Sequence, residues 1–440
     1  MLSREDNERV TQVGSGVPMG TLMRRYWIPA LLASEIAEPD GPPVRVRLLG
    51  ERLVAFRDSE GRVGLLEEFC AHRGVSLFLG RNEECGLRCI YHGWKYDRSG
   101  RCVDMPTETS ASGFKSKIRL TAYPTVELGD VVWAYMGAGE PPSLPRFEWT
   151  GLRSDQRIVT RTWEECNWLQ ALEGGIDSVH AAMLHTLLKP AAGDARWELR
   201  TGPILLTEEV ELTDYGHVYS SIRPLDDGRN WIKIYHYVMP FHTFFPFEIA
   251  GDRKTHQPII NGHMFVPLDD ENTMVFNWIG LRGAEPISQE RREFMERMRG
   301  RAPGEIDANH RKRRNRDVDW LIDRDIQKTQ TYSGIEGINT QDHAVQESMG
   351  PIIDRTRENL GTTDKAVIAT RRILLRVLKG LDPGIDPPGL AASYYDLRAI
   401  ERIVDGATTW RELLSEFVAS NRMQKTSASG VLSRAASSRT

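Results

Sequence analysis

The first part of the chain shows the hydrophobic pattern of antiparallel β structure. Between residues 44 and 136, short apolar or alternating runs such as VRVRLL, RLVAF and VVWAYM are separated by turn residues, which is typical of short strands joined by hairpins. A Gly- and Pro-rich stretch, GAGEPPSLP at residues 137–145, follows and is the best candidate linker. We therefore expect an all-β domain over residues 41–145 and a second domain over residues 146–424.

The second part of the chain mixes helical and strand-like patterns. Residues 167–188 have helical character, and two later helices are predicted at 289–299 and 364–381, the last with a broad apolar face that suits core packing. Strand-like runs fall at residues 204–212, 217–222, 231–239, 263–267 and 273–281. These strands predict a curved antiparallel sheet, so the predicted fold class is α+β.

The two ends of the chain differ from both predicted domains. Residues 1–40 begin polar and include MRRYWIPALLASEI at 23–36, a segment that we expect to dock against a folded domain. Residues 425–440 are rich in Ser and Ala and lack apolar periodicity. A disordered tail is therefore predicted there.

Composition limits the classes of partner. The 440 residues suggest two or three domains, and a net charge of -4 with a pI near 6.3 gives no reason to expect a nucleic-acid partner. No apolar stretch reaches the roughly 20 residues that span a bilayer, and the charged N-terminus lacks the apolar run of a signal peptide. We therefore expect a cytoplasmic protein with no membrane partner. Its five cysteines are odd in number and clustered, which favours metal binding over a disulfide framework.

One cluster of metal-binding residue types lies in the β-rich part. Cys70 and His72 form C-x-H, and after sixteen intervening residues Cys89 and His92 form C-x2-H. Two thiolates and two imidazoles on two loops suit a [2Fe-2S] cluster in which one iron takes both cysteines and the other takes both histidines. Neutral imidazoles in place of thiolates raise the reduction potential of such a cluster, so that it accepts electrons readily.

A zinc site with the same residue types is the alternative. Zinc ligands usually occur as C-x2-4-C and H-x3-5-H pairs, whereas here each loop supplies one cysteine and one histidine. This arrangement favours a cluster with two chemically distinct irons. Cys85 and Cys102 lie nearby but lack a His partner at this spacing, and we interpret them as ordinary buried or half-buried side chains.

A second cluster lies in the predicted helix. Asp177, His180 and His185 form D-x2-H-x4-H, just after Gly174 and Gly175. Two imidazoles and one carboxylate on one side of an iron leave positions open for O2 and substrate. Five residues of an ideal helix rotate by about 140°, so the two histidines reach one metal only if the helix is kinked or broken between them. A histidine in a helix is otherwise more often an ordinary core or surface residue.

These motifs resemble those of one enzyme family. CAHRGVSL and CIYHGWKYD are similar to the two cluster-binding loops of Rieske non-heme iron oxygenases, and NWLQALEGGIDSVHAAMLH resembles the iron-binding segment of the same family. With MRRYWIPALLASEI, the resemblance covers nearly the whole chain and indicates an alpha (oxygenase) subunit of the phthalate dioxygenase-like group. It implies a Rieske [2Fe-2S] domain followed by a catalytic domain whose curved sheet wraps on a helix, a helix-grip arrangement.

The resemblance also implies roles for particular residues. His180 and His185 correspond to ligands of the mononuclear Fe(II), and Asp177 corresponds to a residue that bridges from His180 to His92 of the partner subunit in a trimer. A carboxylate bonded to both imidazoles would fix their tautomers and offer a short route for electrons. Asn167 corresponds to a residue near the iron.

Spacing does not identify the third iron ligand, which the resemblance implies is a carboxylate further along the chain. The stretch GINTQDHAVQESMGPIIDRTRENLG resembles the part of phthalate dioxygenase-type members in which the Asp of QD coordinates iron, and this residue is Asp342 here. Glu347 is the second candidate. We interpret His343 as an incidental neighbour.

The chemistry of the family implies a reaction and partners. A member uses O2 at Fe(II) to hydroxylate an aromatic substrate, as a dioxygenase or monooxygenase, or alternatively to demethylate a methoxylated one. No G-x-G-x-x-G follows a strand, so we expect a separate reductase, with flavin and an iron-sulfur centre, to oxidise NAD(P)H. A homotrimer or a hexamer (a dimer of trimers) is implied. A non-catalytic Rieske electron carrier and a zinc-stabilised binding protein are the competing classes.

Three features concern the substrate or the partner surface. The aromatic run PFHTFFPFEI at residues 240–249 is interpreted as core rather than as pocket lining. Arg223 and Lys233 are candidates for binding an anionic substrate, although outward-facing strand positions are favoured for both. The basic run HRKRRNR at residues 310–316 is interpreted as a solvated, mobile segment, with a docking surface for an acidic reductase as the alternative.

Overall fold

The computed structural model describes residues 1–189, 206–246, 259–382, 384–391, 393–394 and 396–418. The predicted tail at 425–440, the first two residues of the predicted strand at 204–212 and the end of the aromatic run at 240–249 lie outside this part of the chain. None of the described helices is both long enough and apolar enough to cross a bilayer.

Short antiparallel strands form three small sheets in the N-terminal third of the chain, with the orders β1-β10-β9, β2-β3-β4 and β5-β6-β7-β8. The strands are β1 Trp27–Leu32, β2 Val44–Leu48, β3 Glu51–Arg57, β4 Val63–Glu67, β5 Arg81–Glu83, β6 Gly86–Arg88, β7 Lys95–Tyr96, β8 Cys102–Asp104, β9 Thr125–Leu128 and β10 Val131–Tyr135. Gly129 (φ 66°) and Asp130 (φ 65°) join β9 to β10. Two residues at positive φ give the tight turn that matches the twist of a hairpin.

The N-terminal segment contacts both parts of the molecule. It contains the helices α1 Arg4–Thr11 and α2 Pro18–Met23, followed by β1, which pairs with β10. The side chain of Asn7 donates to the carbonyl of Ile353 at 3.0 Å, and the backbone N–H of Val13 donates to Asp270 at 2.7 Å. The segment is therefore tied to the C-terminal half by its helices and to the first small sheet by its strand.

Two of the hydrophobic cores in the described part of the chain explain how the small sheets are divided. The larger core joins the N-terminal segment and the first small sheet to the second domain, and it includes Leu22, Trp133, Leu172, Phe265 and Leu374. A smaller core lies beneath the two Cys/His loops and includes Val54, Leu87, Cys70, Cys89 and Trp94. The Cys/His loops thus rest on a packed unit of their own, which holds their backbones in place.

The second domain is built on an antiparallel sheet with the order β11-β17-β16-β15-β14-β13-β12, in which β18 also pairs with β14. Its described strands are β11 Arg157–Glu164, β12 Thr207–Leu212, β13 Gly216–Pro224, β14 Arg229–Val238, β15 His242–Phe244, β16 Ile259–Pro267, β17 Thr273–Leu281 and β18 Ile400–Asp405. The predicted curved antiparallel sheet is confirmed, and the predicted bounds of β17 are met at both ends. β11, β15 and β18 were not predicted.

Helices cover the sheet and carry most of the candidate site residues. The described α-helices of this domain include α3 Trp168–Ile176, α4 Ala181–Leu184, α5 Gln289–Met298, α6 Arg324–Thr329, α7 Ile338–Ser348 and α8 Lys365–Lys379. The apolar face of α8 packs into the core as predicted, with Val367, Leu374 and Leu378 buried. Gly174 and Gly175 lie inside α3 and allow the close approach of Gln346 and Phe265 respectively. They serve helix packing and do not break the helix.

Candidate metal centres and substrate cavity

The two Cys/His loops of the N-terminal region have the same backbone design. In each loop a glycine four residues after the cysteine donates its N–H to the carbonyl of that cysteine, at 2.9 Å for Gly74 and Cys70 and 3.0 Å for Gly93 and Cys89. Both glycines have positive φ, 72° and 77°, a conformation that other residues adopt at a cost. The repeated turn presents two equivalent loops to one another.

The side chains of these loops provide two kinds of metal ligand, buried thiols and more exposed imidazoles. Cys70 and Cys89 are both 3% exposed, whereas His72 is exposed and His92 half-buried. The two imidazole rings lie 4.4 Å apart, measured between centroids, and the phenol oxygen of Tyr96 lies 3.2 Å from Sγ of Cys70. Two inner thiols and two outer imidazoles fit a [2Fe-2S] cluster whose irons take different ligands.

The remaining cysteines play no part in this donor set. Cys102 is buried and directs its thiol to the carbonyl of Asp104 at 3.3 Å, and Cys85 is half-buried on the turn between β5 and β6. Both side chains match the ordinary structural role that the sequence predicts. No disulfide involves any of the five cysteines, so the thiols of Cys70 and Cys89 are available to a metal.

The second candidate centre lies where the predicted helix at 167–188 is interrupted. α3 ends at Ile176, and Asp177 leaves the helical conformation with φ -59° and ψ 115°. The short helix α4 then fills the interval between His180 and His185. The predicted break between the two histidines is therefore wrong in position: it lies upstream, at Asp177. His185 follows the last residue of α4 with φ -94° and ψ 12°, and this second irregularity turns its ring back toward His180.

Three side chains converge at this point. Nε2 of His180 lies 3.3 Å from Oδ1 of Asp342, and Nε2 of His185 lies 3.1 Å from the same oxygen. All three ligand atoms lie within 4.8 Å of one another. Atoms bound at about 2.1 Å to one ion lie roughly 3 Å apart when they are at right angles, so the observed spacing fits a single metal ion bound on one face.

The outer atoms of the two imidazoles support this arrangement. Nδ1 of His185 lies 2.7 Å from Oε1 of Gln341, and Nδ1 of His180 is buried without a hydrogen-bond partner, 3.8 Å from Oδ2 of Asp177. Oδ1 of Asp342 also has no hydrogen-bond partner although both Nε2 atoms are close to it. Lone pairs that meet without hydrogen bonding are expected at a metal site, and outer partners that orient ligand imidazoles are typical of one.

The electrostatics of the three groups favour the ionised carboxylate. Burial by itself would raise the pKa of Asp342, but the neighbouring His185 and His180 outweigh it and hold that pKa well below its usual range. Burial lowers the pKa of His180, whereas the adjacent carboxylate of Asp342, with a contribution from Asp177, raises it overall. The same complementarity of an anion and two imidazoles suits a divalent cation.

Two other predicted site residues lie elsewhere. Asn167 caps α3: its Oδ1 accepts from the N–H of Leu169 at 3.1 Å, and its Nδ2 donates to the carbonyls of Thr11 and Asp270 at 2.9 and 2.6 Å. Its amide is thus fully used by the backbone, and it does not line the cavity beside His180. The expectation that Asn167 lies near the iron is corrected here, because helix capping fixes its side chain.

The second carboxylate candidate, Glu347, belongs to a buried ion network. It is 0% exposed and pairs with Lys312 at 2.6 Å, and it accepts from the indole of Trp320 at 2.7 Å. Lys312 also lies 2.8 Å from Nδ1 of His343. Glu347 is therefore committed to Lys312. His343, which the sequence suggested was an incidental neighbour, belongs to this network and directly follows Asp342 in the chain.

The basic run at residues 310–316 is anchored rather than solvated and mobile. Lys312 is 3% exposed, and Arg311 pairs with Asp317 at 2.6 Å. His310 lies 3.2 Å from Glu35, and Arg314 lies 2.8 Å from Glu336. The sequence interpretation fails because several of the acids that pair with these cations, Glu35, Glu336 and Glu347, lie more than 20 residues away along the chain.

An apolar cavity of about 310 Å³ adjoins the three converging side chains. Its apolar wall includes Phe245, Phe265, Val275, Ile279, Met295 and Met298. The aromatic run at 240–249 is divided in function: Phe241, His242 and Phe244 are core as predicted, whereas Phe245 and Pro246 line the cavity. His263 also lines it, and burial lowers the pKa of this histidine to about 3, so the ring is neutral.

Both strand cations face this cavity, which corrects their predicted outward position. Arg223 is 9% exposed, and Arg223 and Lys233 are both lining residues. Strand alternation is the reason, because the inward positions of β13 and β14 bring them beside Trp231 and Tyr235. Lys233 lies 4.4 Å above the ring of Trp231.

Sequence reasoning missed three further residues of the site. Gln341 precedes Asp342 on α7, and no spacing rule marks it. Asn261 alternates with His263 and Phe265 on β16, so the period-2 pattern of an inward strand face gives a signal for it. Arg299, immediately after α5, lines the cavity and lies at the end of a helix that otherwise reads as solvated.

The fold and the two donor sets define a class of protein with a cluster site in a β domain and a single-metal site beside a cavity. Two family models match the chain, the Rieske [2Fe-2S] domain over residues 26–124 and the family described as LigXa C-terminal domain like over residues 134–431. The chain therefore belongs to the Rieske non-heme iron oxygenases, as an oxygenase subunit. This family uses a [2Fe-2S] cluster and a mononuclear non-heme iron.

Known proteins agree with this membership. The chain is 38% identical over 438 residues to the 3-chlorobenzoate-3,4-dioxygenase oxygenase subunit of Comamonas testosteroni, an alignment that covers 93% of this chain and 97% of that protein. It is 36% identical over 440 residues to the phthalate 4,5-dioxygenase oxygenase subunit of Pseudomonas putida, with 95% and 96% covered. The solved structure of dicamba monooxygenase bound to dicamba shares the fold, with a TM-score of 0.56 at 17% identity over 82% of this chain and 99% of that one.

Proposed function

We propose that this chain is the terminal oxygenase component that hydroxylates a single-ring aromatic substrate with O2. The observation that carries the proposal is the convergence of His180, His185 and Asp342 in the wall of an apolar cavity, in a chain that also carries the two Cys/His loops. The cavity measures about 310 Å³, and a cavity of about 150 Å³ already holds benzene. One substituted ring and O2 are therefore accommodated together.

Each metal group has its own residues in this proposal. The [2Fe-2S] cluster is held by Cys70, His72, Cys89 and His92. The mononuclear Fe(II) is held by His180, His185 and Asp342. When bound, the cluster supplies electrons one at a time and the Fe(II) supplies O2 activation. The chain itself orients the ligands through Gln341 and excludes water with the apolar cavity wall.

Asp177 is proposed to link the two metal centres between subunits. Its Oδ1 is fixed by the N–H groups of Val179 and His180 at 2.8 and 3.3 Å, which leaves Oδ2 directed toward Nδ1 of His180. That nitrogen is buried without a hydrogen-bond partner, while Asp177 itself is partly exposed. These features suit a carboxylate that also accepts a hydrogen bond from His92 of the partner subunit. A homotrimer, or a hexamer made of two trimers, is the assembly that we propose.

Electrons are proposed to arrive from NAD(P)H through a separate reductase with flavin and an iron-sulfur centre. The chain has no dinucleotide-binding glycine motif after a strand, and its relatives are named as oxygenase subunits. The exposed ring of His72 offers the cluster an edge that such a partner can reach.

Turnover with a surrogate reductase tests the proposal. The iron- and sulfide-loaded chain is incubated with NADH, the reductase and a panel of aromatic acids, neutral arenes and methoxyarenes, while O2 uptake and products are followed. We expect O2 uptake coupled to a hydroxylated product for at least one aromatic compound, and no product from Asp342→Ala. Formaldehyde from a methoxyarene would assign demethylation instead. NADH oxidation without product throughout the panel would contradict the proposal.

A further inference from the structure

Arg299 is a buried arginine that forms no ion pair with any residue in the described part of the chain. It lies immediately after α5, is 8% exposed, and lines the same cavity as His180 and Asp342. Its Nη1 is buried and has no hydrogen-bond partner. The acid nearest to it along the helix, Glu296, pairs with Arg301 at 3.0 Å instead. Within the described part of the chain, no carboxylate forms an ion pair with Arg299.

Three other buried arginines of this chain are compensated by carboxylates. Arg355 and Arg371 both bind Glu173, at 2.9 and 2.6 Å, and Arg161 pairs with Glu35 at 2.5 Å. A buried charge is unfavourable unless an opposite charge and hydrogen bonds offset its desolvation. Arg299 departs from this pattern in the wall of the cavity, which is expected of a group whose partner is a bound anion.

The same cavity contains a second unsatisfied group. Asn261 on β16 is 3% exposed and lines the cavity, and neither its Oδ1 nor its Nδ2 has a hydrogen-bond partner. His263 lies two residues further along the same strand face and is neutral. Burial lowers the pKa of Arg299 to about 10, so the guanidinium keeps its charge at neutral pH.

We infer that Arg299 binds a carboxylate substituent of the aromatic substrate and that the amide of Asn261 completes its hydrogen bonds. The inference rests on the proposed function and assigns the substrate class and the residue that selects it. A planar guanidinium matches a carboxylate through two parallel hydrogen bonds, and the apolar wall accepts the ring. Sharing one cavity with His180 and Asp342, Arg299 holds the ring beside the proposed iron.

The strand cations are less suited to this role. Lys233 and Arg223 lie 4.4 and 5.9 Å from the ring of Trp231, and Lys233 is paired in register with Glu401, which also lines the cavity. Both cations therefore lie near the ring of Trp231, and Glu401 lies on the strand next to Lys233. Among the described residues, Arg299 has neither an ion pair nor a cation–π contact, so it carries the stronger demand for an external anion.

Binding of matched acids and amides tests the inference. Benzoate and its 3- and 4-substituted derivatives are each compared with the corresponding carboxamide by calorimetric titration of the iron- and cluster-loaded chain without O2 or reductase. We expect at least one acid to bind about 10- to 100-fold more tightly than its amide. Arg299→Gln is expected to abolish that difference, and Arg299→Lys to retain part of it.

Two controls separate this role from a structural one. Arg297→Gln removes an exposed arginine from the same helix and should bind the acids as the unaltered chain does. Arg299→Gln removes an unpaired buried charge, so its melting temperature without ligand should not fall. Equal affinity for every acid and its amide, no binding by any acid, or an acid preference that survives Arg299→Gln would each overturn the inference. Failure of oxygenation would be seen separately, in O2 uptake, because binding is measured without turnover.

Discussion

Oε1 of Gln341 lies 2.7 Å from Nδ1 of His185. The other end of the same amide, Nε2, donates to the carbonyl of Ile335 at 2.7 Å, so Oε1 faces the imidazole as an acceptor. Nδ1 of His185 therefore carries the proton, which leaves Nε2 as the lone pair that faces Asp342 at 3.1 Å. Gln341 thus selects the tautomer that a metal ligand needs.

Replacement of this amide should weaken iron binding. Gln341→Met keeps the length of the side chain but removes the acceptor, and we expect the dissociation constant for Fe(II) to rise about 10- to 100-fold. The visible spectrum of the cluster should be unchanged, because its ligands lie on other loops. Fe(II) titration of metal-depleted protein measures the effect, with Gln289→Met, an exposed glutamine at the start of α5, as the control. Wild-type affinity in Gln341→Met would argue against the tautomer assignment.

Asp177 provides a test of the link between the two centres. Asp177→Asn retains the size of the side chain but removes its charge, so both metals should still bind while electron transfer from the reduced cluster slows by about 10- to 100-fold. Single-turnover oxidation of the pre-reduced cluster in the presence of substrate measures this rate. Glu293→Gln, an exposed acid on α5, is the control. An unchanged rate in Asp177→Asn would remove the bridging role.

Glu164 is one of two buried acids that lie near a single lysine, Lys312. It is 0% exposed, and the nearby Lys312 is already paired with Glu347 at 2.6 Å. Burial, opposed in part by Lys312 and reinforced by Glu347, raises the pKa of Glu164 from 4.5 to about 8. One lysine thus balances one of two buried acids, and Glu164 stays protonated at neutral pH.

This protonation predicts a pH-dependent stability. Between about pH 5 and pH 8 the folded protein holds a proton on Glu164 that the unfolded chain releases, so this group lowers the free energy of unfolding by about 1.4 kcal/mol per pH unit as pH rises. Glu164→Gln has no ionisable group at this position, so it lacks this pH-dependent contribution to the free energy of unfolding. Its stability relative to the unaltered chain should therefore increase from pH 5 to pH 8 and then level off, as measured by urea unfolding.

An exposed acid supplies the comparison for that experiment. Glu293→Gln should differ from the unaltered chain by the same small amount at every pH, because Glu293 is exposed. If the stability difference for Glu164→Gln is constant or decreases with pH, the buried carboxyl is ionised in the folded protein and the charge balance described for Lys312 is wrong.

Local patterns predicted the parts of the molecule that local interactions determine. The spacing of Cys70, His72, Cys89 and His92 was informative because each pair lies on one tight turn. The bounds of β17 followed from its apolar composition. β18 was missed because it forms by pairing with β14, more than 160 residues earlier in the chain, and its own sequence, IERIVD, gives a weak strand signal.

The errors at the site come from long-range partners. The basic run at 310–316 reads as solvated until Glu347 and Glu35 are brought to it by the fold. The geometry of an ideal helix predicts a break between the two histidines. In the structure Asp177 is the C-terminal cap of α3, so the break lies upstream of His180. Arg299 gives no sequence signal, since its burial depends on how the end of α5 meets the sheet.

Metal and acid-labile sulfide analysis of anaerobically prepared protein tests the central claim most directly. The two-centre account predicts about three irons and about two sulfides per chain, and about two irons with unchanged sulfide and visible spectrum in His180→Ala. Zinc in place of iron, or loss of the cluster spectrum in His180→Ala, would contradict it.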